Sequence, residues 1–116
     1  MAVIHLDTAV LETLRDVMED EYSLLLETFL LDSEERLRLL LETSASGDAQ
    51  AMRLAAHSFK GSCSNMGAVL LASLCKELEE LARRERLDVS AEVLEQVQRE
   101  FAIVRILFKA ELQRHR

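Results

Sequence analysis

Apolar residues recur at steps of three and four positions along most of the chain, which is the period of an amphipathic α-helix. The pattern predicts a short first helix, Thr8–Met18, followed by four long ones. The long helices are predicted over residues 22–43, 49–66, 68–84 and 91–113. Helices with one apolar stripe bury those stripes against one another. We therefore expect an all-α fold, an antiparallel four-helix bundle with a short additional N-terminal helix, in a single domain over residues 1–116.

Three residues suited to N-cap positions mark where helices begin, because their side-chain oxygens can accept a hydrogen bond from the first helical turn. These residues are Asp7, Asp48 and Ser90. Ser90 ends a short connection, residues 87–90, that precedes the last predicted helix.

Breaks between helices are indicated by glycines and by polar runs. Residues 44–48 form the clearest loop, and Gly47 and Gly67 suit the position just past a helix C-terminus. The acidic run at residues 19–21 is either a break between two helices or a kink in one continuous helix.

The third predicted helix has two faces of different chemistry. On a helical wheel centred on Phe59, its apolar residues fall within roughly 60°. They are Met52, Ala55, Ala56, Cys63 and Met66. His57 lies about 160° away from Phe59, and Lys60 and Gly61 follow it at i+3 and i+4. Glycine inside a helix costs about 1 kcal/mol relative to alanine, so its place beside an outward-facing histidine requires an explanation.

The composition narrows the range of functions. The formal net charge is −7, Trp is absent and Tyr occurs once, which disfavours binding to nucleic acid. No apolar run has the length of a membrane span, and the first residues lack the pattern of a signal peptide. We therefore expect a cytoplasmic protein that binds neither nucleic acid nor membranes. Cys63 and Cys75 fit buried thiols better than a disulfide, and no metal-ligand pattern occurs.

The acidic runs are interpreted as a solvated face, with a modest role in the selection of partners as the alternative. Five residues of the fourth predicted helix are expected to face water: Glu77, Glu79, Glu80, Arg83 and Arg84. His5 and His115 lie near the ends of the chain with no partner at a recognisable spacing, and we interpret both as surface residues.

Three segments around His57 resemble the histidine phosphotransfer (HPt) domain family. They are HSFKGS at residues 57–62, NMGA at residues 65–68 and LCKELE at residues 74–79. The family's pattern is His-x-Leu-Lys-Gly, then Gly-Ala, then Leu-Cys-x-x-Leu-Glu. Phe59 replaces the commoner leucine, but both are bulky apolar residues. Several separated positions agree in register as well as in residue type, which makes the resemblance specific.

The resemblance implies that His57 accepts a phosphoryl group from the aspartyl phosphate of one receiver domain and hands it to the aspartate of another. Lys60 is expected to stabilise the phosphoryl group, and Gly61 to leave room for the receiver. Four further residues are candidates for docking a receiver or orienting the imidazole: Arg53, Leu54, Ser58 and Ser64.

The implied partners are the receiver domains of a hybrid sensor histidine kinase and of a response regulator. We expect a monomer with no cofactor of its own, since the Mg²⁺ of this chemistry belongs to the receiver. The chain has no Gly-rich ATP-binding segment, so we expect a phosphorelay intermediate rather than an autonomous kinase.

Two alternatives compete with this interpretation. The first is a helical adaptor or anti-activator that binds a signalling partner through the same face without being phosphorylated. The second is the dimerisation helix pair of a sensor kinase, whose histidine is generally followed by a proline a few residues on. The chain contains no proline, which disfavours the second alternative.

Overall fold

A computed structural model describes residues 3–115, and nearly all of them are helical. Within this range five α-helices follow one another: α1 (Thr8–Met18), α2 (Tyr22–Ser46), α3 (Ala49–Asn65), α4 (Val69–Arg83) and α5 (Leu87–Arg114). Helices α2 to α5 each pack against at least two others and form the bundle, so the predicted all-α fold with a short N-terminal helix is confirmed. In the described part of the chain, no helix is long and apolar enough to cross a membrane.

The apolar stripes meet in one core. Phe29 on α2 packs against Phe108 on α5 with ring centroids 4.9 Å apart, and Phe59 on α3 lies 6.3 Å from Phe101 on α5. The predicted stripe of α3 is buried, except that Ala55 is only half-buried. Its fully buried members are Met52, Ala56, Phe59 and Cys63. Packing of this stripe fixes the rotation of α3 and therefore sets which residues face solvent.

The two cysteines are free thiols inside this core, as predicted. Cys63 lies on α3 and Cys75 on α4, and neither has exposed surface. Burial and a contact with Cys75 place the pKa of the Cys63 thiol well above its usual range, the contact being the larger cause. Both cysteines therefore act as small apolar residues between α3 and α4.

Capping residues determine where α1 and α3 begin. The Asp7 carboxylate accepts a hydrogen bond from the Ala9 backbone N–H at 3.1 Å, and Asp48 accepts one from Ala51 at 3.0 Å. Gly47 ends α2 in the left-handed conformation, with φ of 73°. These three predicted boundary roles are confirmed.

The loop predicted over residues 44–48 is wrong in length, because α2 continues through Ser46. Only Gly47 and Asp48 connect α2 to α3. The chain reverses at the left-handed glycine, and the Asp48 N–H closes the helix by donating to the Thr43 carbonyl at 3.0 Å. The small polar residues before Gly47 remain helical.

The predicted N-cap role of Ser90 is also wrong. Helix α5 begins at Leu87, and Ser90 is buried inside it with its hydroxyl donating to the Leu87 carbonyl at 3.2 Å. The reason lies in Glu85, whose φ of 56° reverses the chain directly after α4. The Arg86 N–H then donates to the Leu81 carbonyl at 2.8 Å, and α5 follows without a longer connection.

The 3₁₀ turn Glu19–Glu21 separates α1 from α2. Glu19 has φ of 49°, which no residue of a continuous right-handed helix adopts. The acidic run is therefore a break between two helices.

The segment before α1 is fixed to the turn between α3 and α4. The Asp7 N–H donates to the Gly67 carbonyl at 2.8 Å. Gly67 has φ of 76°, and a Cβ at this position would lie 3.0 Å from the Asp7 carbonyl oxygen and 3.1 Å from the Val10 Cβ. Gly67 thus ends α3 as predicted, and it also permits the close approach of the N-terminal segment.

His5 and His115, interpreted as surface residues, are partly buried, and both have a carboxylate partner. Nδ1 of His5 lies 2.7 Å from Oε2 of Glu100, a residue of α5 that is only 4% exposed. Nε2 of His115 lies 2.6 Å from Glu111, and its ring packs edge-on against Tyr22 with centroids 5.4 Å apart. Glu100 and Tyr22 are remote in sequence from these histidines, so helical spacing does not reveal those two contacts, whereas Glu111 lies four residues before His115.

Glu19 has a backbone conformation, φ 49° and ψ −116°, that glycine adopts more readily than residues with a side chain. We predict that Glu19→Gly raises the free energy of unfolding by about 1 kcal/mol, as measured by urea denaturation. Glu21→Gly is the matched control. Glu21 has an ordinary φ of −89°, so glycine there should lower the free energy of unfolding by about 0.5–1 kcal/mol. Equal effects of the two substitutions would argue against strain at Glu19.

Candidate functional site

His57 lies on α3 on the face opposite the core, and its side chain is 65% exposed. This direction follows from the packing of Ala56 and Phe59, which are fully buried on either side of it in sequence. A helix that buries those two residues turns position 57 to solvent. The outward orientation of His57 therefore agrees with the prediction from the apolar pattern.

A glutamate from the neighbouring helix contacts two of the predicted site residues. Oε2 of Glu79 on α4 lies 2.7 Å from Nδ1 of His57. Its other oxygen, Oε1, accepts a hydrogen bond from Nζ of Lys60 at 2.6 Å. The Glu79 side chain is only 18% exposed, so the expectation that it faces water is wrong. One carboxylate thus joins α4 to two positions on α3.

The contact with Glu79 determines the tautomer of the imidazole. An ionised carboxylate only accepts hydrogen bonds, so Nδ1 of His57 carries the proton and donates it. In the neutral ring the proton on Nδ1 leaves a lone pair on Nε2. Among the described residues, Nε2 has no hydrogen-bond partner. The arrangement therefore presents an unprotonated ring nitrogen at an exposed position.

The charge of Glu79 follows from its surroundings. Partial burial opposes ionisation, but the hydrogen bonds from Lys60 and His57 outweigh it and lower the pKa of this carboxyl below its usual value. Glu79 is consequently ionised at neutral pH. The site thus contains a negative charge against one ring nitrogen and a cation bonded to the same carboxylate.

Gly61 leaves open space beside the imidazole. A Cβ placed on this residue would have no atom within 4 Å, apart from its chain neighbours and the backbone of its own helix. The residue is exposed, and it has no left-handed backbone that would require glycine. Local packing and backbone geometry therefore do not explain why glycine occupies this position.

Ser58 is hydrogen-bonded to a residue of α2. The Ser58 hydroxyl accepts a hydrogen bond from Nε of Arg36 at 3.0 Å. Both residues line a shallow groove of about 350 Å³ between α2 and α3, together with Leu39 and Ala55. Arg36 thus contacts the residue that follows the histidine, although the sequence did not mark it as a site residue.

The other candidate residues differ in their exposure to solvent. Leu54, one turn before His57, is 54% exposed, and Arg53 is half-buried. Ser64 is exposed, and the described contacts include no hydrogen bond between its side chain and the imidazole. Within these contacts, Glu79 rather than Ser64 bonds the ring.

Glu79 and Arg36 are the two residues that the sequence interpretation did not place at the site. Glu79 does belong to the LCKELE segment that resembles the HPt pattern, and it follows the buried Leu78. Its place in that segment, directly after a buried residue, was the feature of the sequence that could have assigned Glu79 to the site. Nothing comparable marks Arg36, because its contact depends on how α2 packs against α3. In the described part of the chain, no group of three or more His, Cys, Asp or Glu side chains is arranged to hold a metal ion.

Comparisons with known proteins identify the family of the chain. A model of the Hpt domain family matches residues 24–114. The crystal structure of histidine-containing phosphotransfer protein B (HptB) from Pseudomonas aeruginosa PAO1 is 63% identical, with a TM-score of 0.95, and the match covers 99% of this chain and 100% of that one. No curated protein matches the chain significantly.

A second solved structure supports the fold alone. The structure of a putative histidine-containing phosphotransfer protein from rice is 18% identical with a TM-score of 0.79, and the match covers 94% of this chain and 80% of that one. The family model spans most of the chain, and the bacterial relative matches it nearly end to end. The chain therefore belongs to the Hpt domain family.

Proposed function

We propose that the chain is a phosphorelay intermediate in which His57 accepts a phosphoryl group from the receiver domain of a hybrid sensor kinase and passes it to that of a response regulator. Membership of the Hpt family supports a phosphotransfer role. The observation that supports His57 most strongly is its exposed imidazole with Nδ1 bonded to Glu79 and Nε2 unpartnered among the described residues.

In the proposed reaction, the lone pair on Nε2 of His57 attacks the phosphorus of an aspartyl phosphate. The bond between phosphorus and the aspartate oxygen breaks, and the aspartate leaves as a carboxylate. The new N–P bond makes the ring an imidazolium with its proton on Nδ1. That charge develops 2.7 Å from the Glu79 carboxylate, which stabilises it electrostatically. In the onward step an aspartate of the second receiver attacks phosphorus, the N–P bond breaks and the neutral imidazole is restored.

Lys60 is proposed to neutralise the phosphoryl oxygens. Its ammonium is held beside the ring by the hydrogen bond to Glu79, and its side chain is partly exposed. An ammonium has three N–H donors, so Lys60 can contact a phosphoryl oxygen while it keeps its bond to Glu79. Glu79 is thereby proposed to position both the nucleophile and the cation.

The receiver is proposed to dock over the face that contains the histidine. Gly61 leaves one side of the ring open, while Leu54 offers an exposed apolar contact and Arg53 and Ser58 offer polar ones. The Mg²⁺ of the reaction is proposed to belong to the receiver, and this chain to need no cofactor. We further propose a cytoplasmic monomer without kinase activity of its own.

The site assignment predicts that His57→Gln abolishes phosphoryl acceptance while the fold persists. His57 is exposed and outside the core, so its replacement should change the free energy of unfolding by no more than about 0.5 kcal/mol. The measurement mixes each variant with a receiver carrying a radiolabelled aspartyl phosphate and follows label on this chain. His115→Gln, which retains His57, is the control and should be labelled like the wild type. Label on His57→Gln would refute the assignment, and no label on the wild type would favour an unphosphorylated adaptor.

The bonds of Glu79 predict a pH-dependent contribution to stability. Its pKa is lowered in the folded protein from an ordinary value of 4.5. Stabilisation by the carboxylate is therefore complete above pH 4.5 and is lost as the pH falls through the lower, folded value. We expect Glu79→Gln to lower the free energy of unfolding by about 1 kcal/mol at pH 7, and this difference to disappear in acid.

Urea denaturation of wild type and Glu79→Gln from pH 7 down to pH 3 measures that difference. Glu77→Gln, a substitution of an exposed glutamate on the same helix, should show none at any pH. A difference that stays constant over the whole range would contradict the proposed ion pairs.

Replacement of Lys60 should slow transfer without eliminating it. One electrostatic donor contributes about 100- to 1,000-fold in a preorganised site. Because Lys60 is partly exposed in the free protein, we predict that Lys60→Ala slows transfer by about 100-fold or less, measured by stopped flow with a phosphorylated receiver. Lys109→Ala, an exposed lysine on α5, should leave the rate unchanged. Equal rates for Lys60→Ala and the wild type would remove Lys60 from the mechanism.

Gly61 provides a test of steric access. Gly61→Ala should raise the free energy of unfolding by about 0.4–1 kcal/mol, because a Cβ meets open space. Gly61→Gln should also fold but obstruct a receiver, and a displacement of ~1 Å in the reacting groups can cost about 100-fold in rate. We predict that it slows phosphorylation by a receiver far more than phosphorylation by phosphoramidate. Equal losses with both donors would indicate a disturbed histidine instead.

A further inference from the structure

A groove between α3 and α4 extends past His57 in both directions. Lys60, three residues after His57, lines a cavity of about 330 Å³ together with Lys76 of α4. Arg53, four residues before His57, lines a second cavity of about 160 Å³ together with residues at the end of α4. Arg83 lines both cavities, so they belong to one groove.

Two cations of this groove have no carboxylate partner. Most arginines and lysines of residues 3–115 form an ion pair, and the exceptions are Arg36, Arg53, Lys76 and Lys109. Arg36 donates a hydrogen bond to Ser58, and Lys109 lies on α5. Arg53 and Lys76 are therefore the unpaired cations of the α3/α4 groove.

Both unpaired cations lie one helical turn from a member of the bonded pair at the site. Arg53 precedes His57 by four residues on α3, and Lys76 precedes Glu79 by three residues on α4. At these spacings two side chains of a helix are neighbours, with Cβ atoms about 5–6 Å apart. The short turn at residues 66–68 makes α4 run antiparallel to α3. The two cations therefore lie on opposite sides of the contact between His57 and Glu79.

Two glutamates line the cavity beside Lys76, but both already have partners. Glu79 contacts the imidazole of His57 and accepts a hydrogen bond from Lys60. Glu80 accepts hydrogen bonds from two arginines at the end of α4, at 2.5 Å and 2.8 Å. The exposed ammonium of Lys76 is thus an excess positive charge in this cavity.

The charge balance is less positive at the other end of the groove. Glu85 lines the cavity beside Arg53, and it has no ion pair among residues 3–115. Its carboxylate offsets part of the charge of Arg53. We therefore expect Lys76 to attract an anionic partner more strongly than Arg53 does.

A phosphorylated receiver is a partner to which such cations are suited. A phosphoryl group carries about two negative charges at neutral pH, and Mg²⁺ is bound in proteins by carboxylates. A receiver that contains both therefore presents an acidic surface. The formal net charge of this chain is −7, which opposes the approach of that surface. Unpaired cations on both sides of His57 favour its approach at the histidine.

We propose that the α3/α4 groove binds the acidic surface around the aspartyl phosphate of a receiver, with Lys76 and Arg53 as the two cations that attract it. This inference rests on the proposed phosphotransfer function. Charges at the rim of an interface act mainly on the association rate and on its dependence on salt. Lys76 and Arg53 are therefore expected to accelerate the encounter with the receiver.

The test is the second-order rate constant of transfer from a phosphorylated receiver, measured by stopped flow well below saturation. We expect Lys76→Gln to lower this constant by about threefold or more at an ionic strength of about 0.01 M, and Arg53→Gln to lower it less. Both differences should disappear near 1 M, where the Debye length is about 3 Å. Both variants should slow transfer from the receiver far more than phosphorylation by phosphoramidate.

Lys109→Gln is the matched control, because it removes an unpaired lysine on α5 and changes the net charge by the same amount. It should keep the wild-type rate at both ionic strengths. Lys76→Arg retains the charge and should also transfer at the wild-type rate. Thermal melts of Lys76→Gln should match the wild type, since the ammonium has no ion pair to lose among residues 3–115.

The outcomes separate this inference from the proposed function. A wild type that takes no label from the receiver would refute the proposed function and the inference with it. A labelled wild type with equal rates in Lys76→Gln and Lys109→Gln would overturn the inference alone. An effect of Lys76→Gln that is the same at both ionic strengths, or that Lys76→Arg shares, would also overturn it.

Discussion

The Glu79 carboxylate is the interaction on which the site depends. It comes from α4, yet its two oxygens contact Nδ1 of His57 and Nζ of Lys60 on α3. A histidine alone on an exposed helix face would exchange its proton between both ring nitrogens. Bonded to Glu79, it keeps the proton on Nδ1 and leaves the lone pair on Nε2. The helix pair, rather than α3 alone, therefore makes the imidazole a candidate nucleophile.

That helix pair is maintained by features away from the histidine. The fully buried stripe of α3, with Phe59 at its centre, fixes which way His57 points. The left-handed Gly67 then turns the chain into α4, and its carbonyl accepts a hydrogen bond from the Asp7 N–H of the N-terminal segment. A side chain at Gly67 would displace that segment from the turn between α3 and α4. The buried stripe of α3 therefore orients His57, and the turn at Gly67 leads the chain into the helix that contains Glu79.

Much of this arrangement follows from local sequence. The three- and four-residue apolar spacing predicted the helices, and Asp7, Asp48 and Gly47 predicted where they begin or end, because those signals act within a few residues. The outward direction of His57 followed from the same spacing. Ser90 failed as an N-cap because a left-handed Glu85, which no propensity rule favours, completes the turn earlier.

Contacts between helices could not be predicted in the same way. The bond from Arg36 to Ser58 and that from His5 to Glu100 join residues that are far apart in the sequence. They depend on helix register, which the apolar pattern does not determine. Glu79 illustrates the limit, because it was interpreted as solvated although it lies next to the buried Leu78. A charged residue at the edge of a buried stripe can face either water or a neighbouring helix. Which of these it faces depends on how the helices pack against each other.

We infer that Glu79 holds the proton on Nδ1 of His57, and we propose that Nε2 is thereby presented for phosphorylation. The most direct test is long-range ¹H–¹⁵N correlation NMR of the His57 ring before and after phosphorylation. We expect a protonated Nδ1 with an unprotonated Nε2 in the free protein, and the phosphoryl group on Nε2 afterwards. A free imidazole protonated on Nε2, or a phosphoryl group on Nδ1, would contradict it.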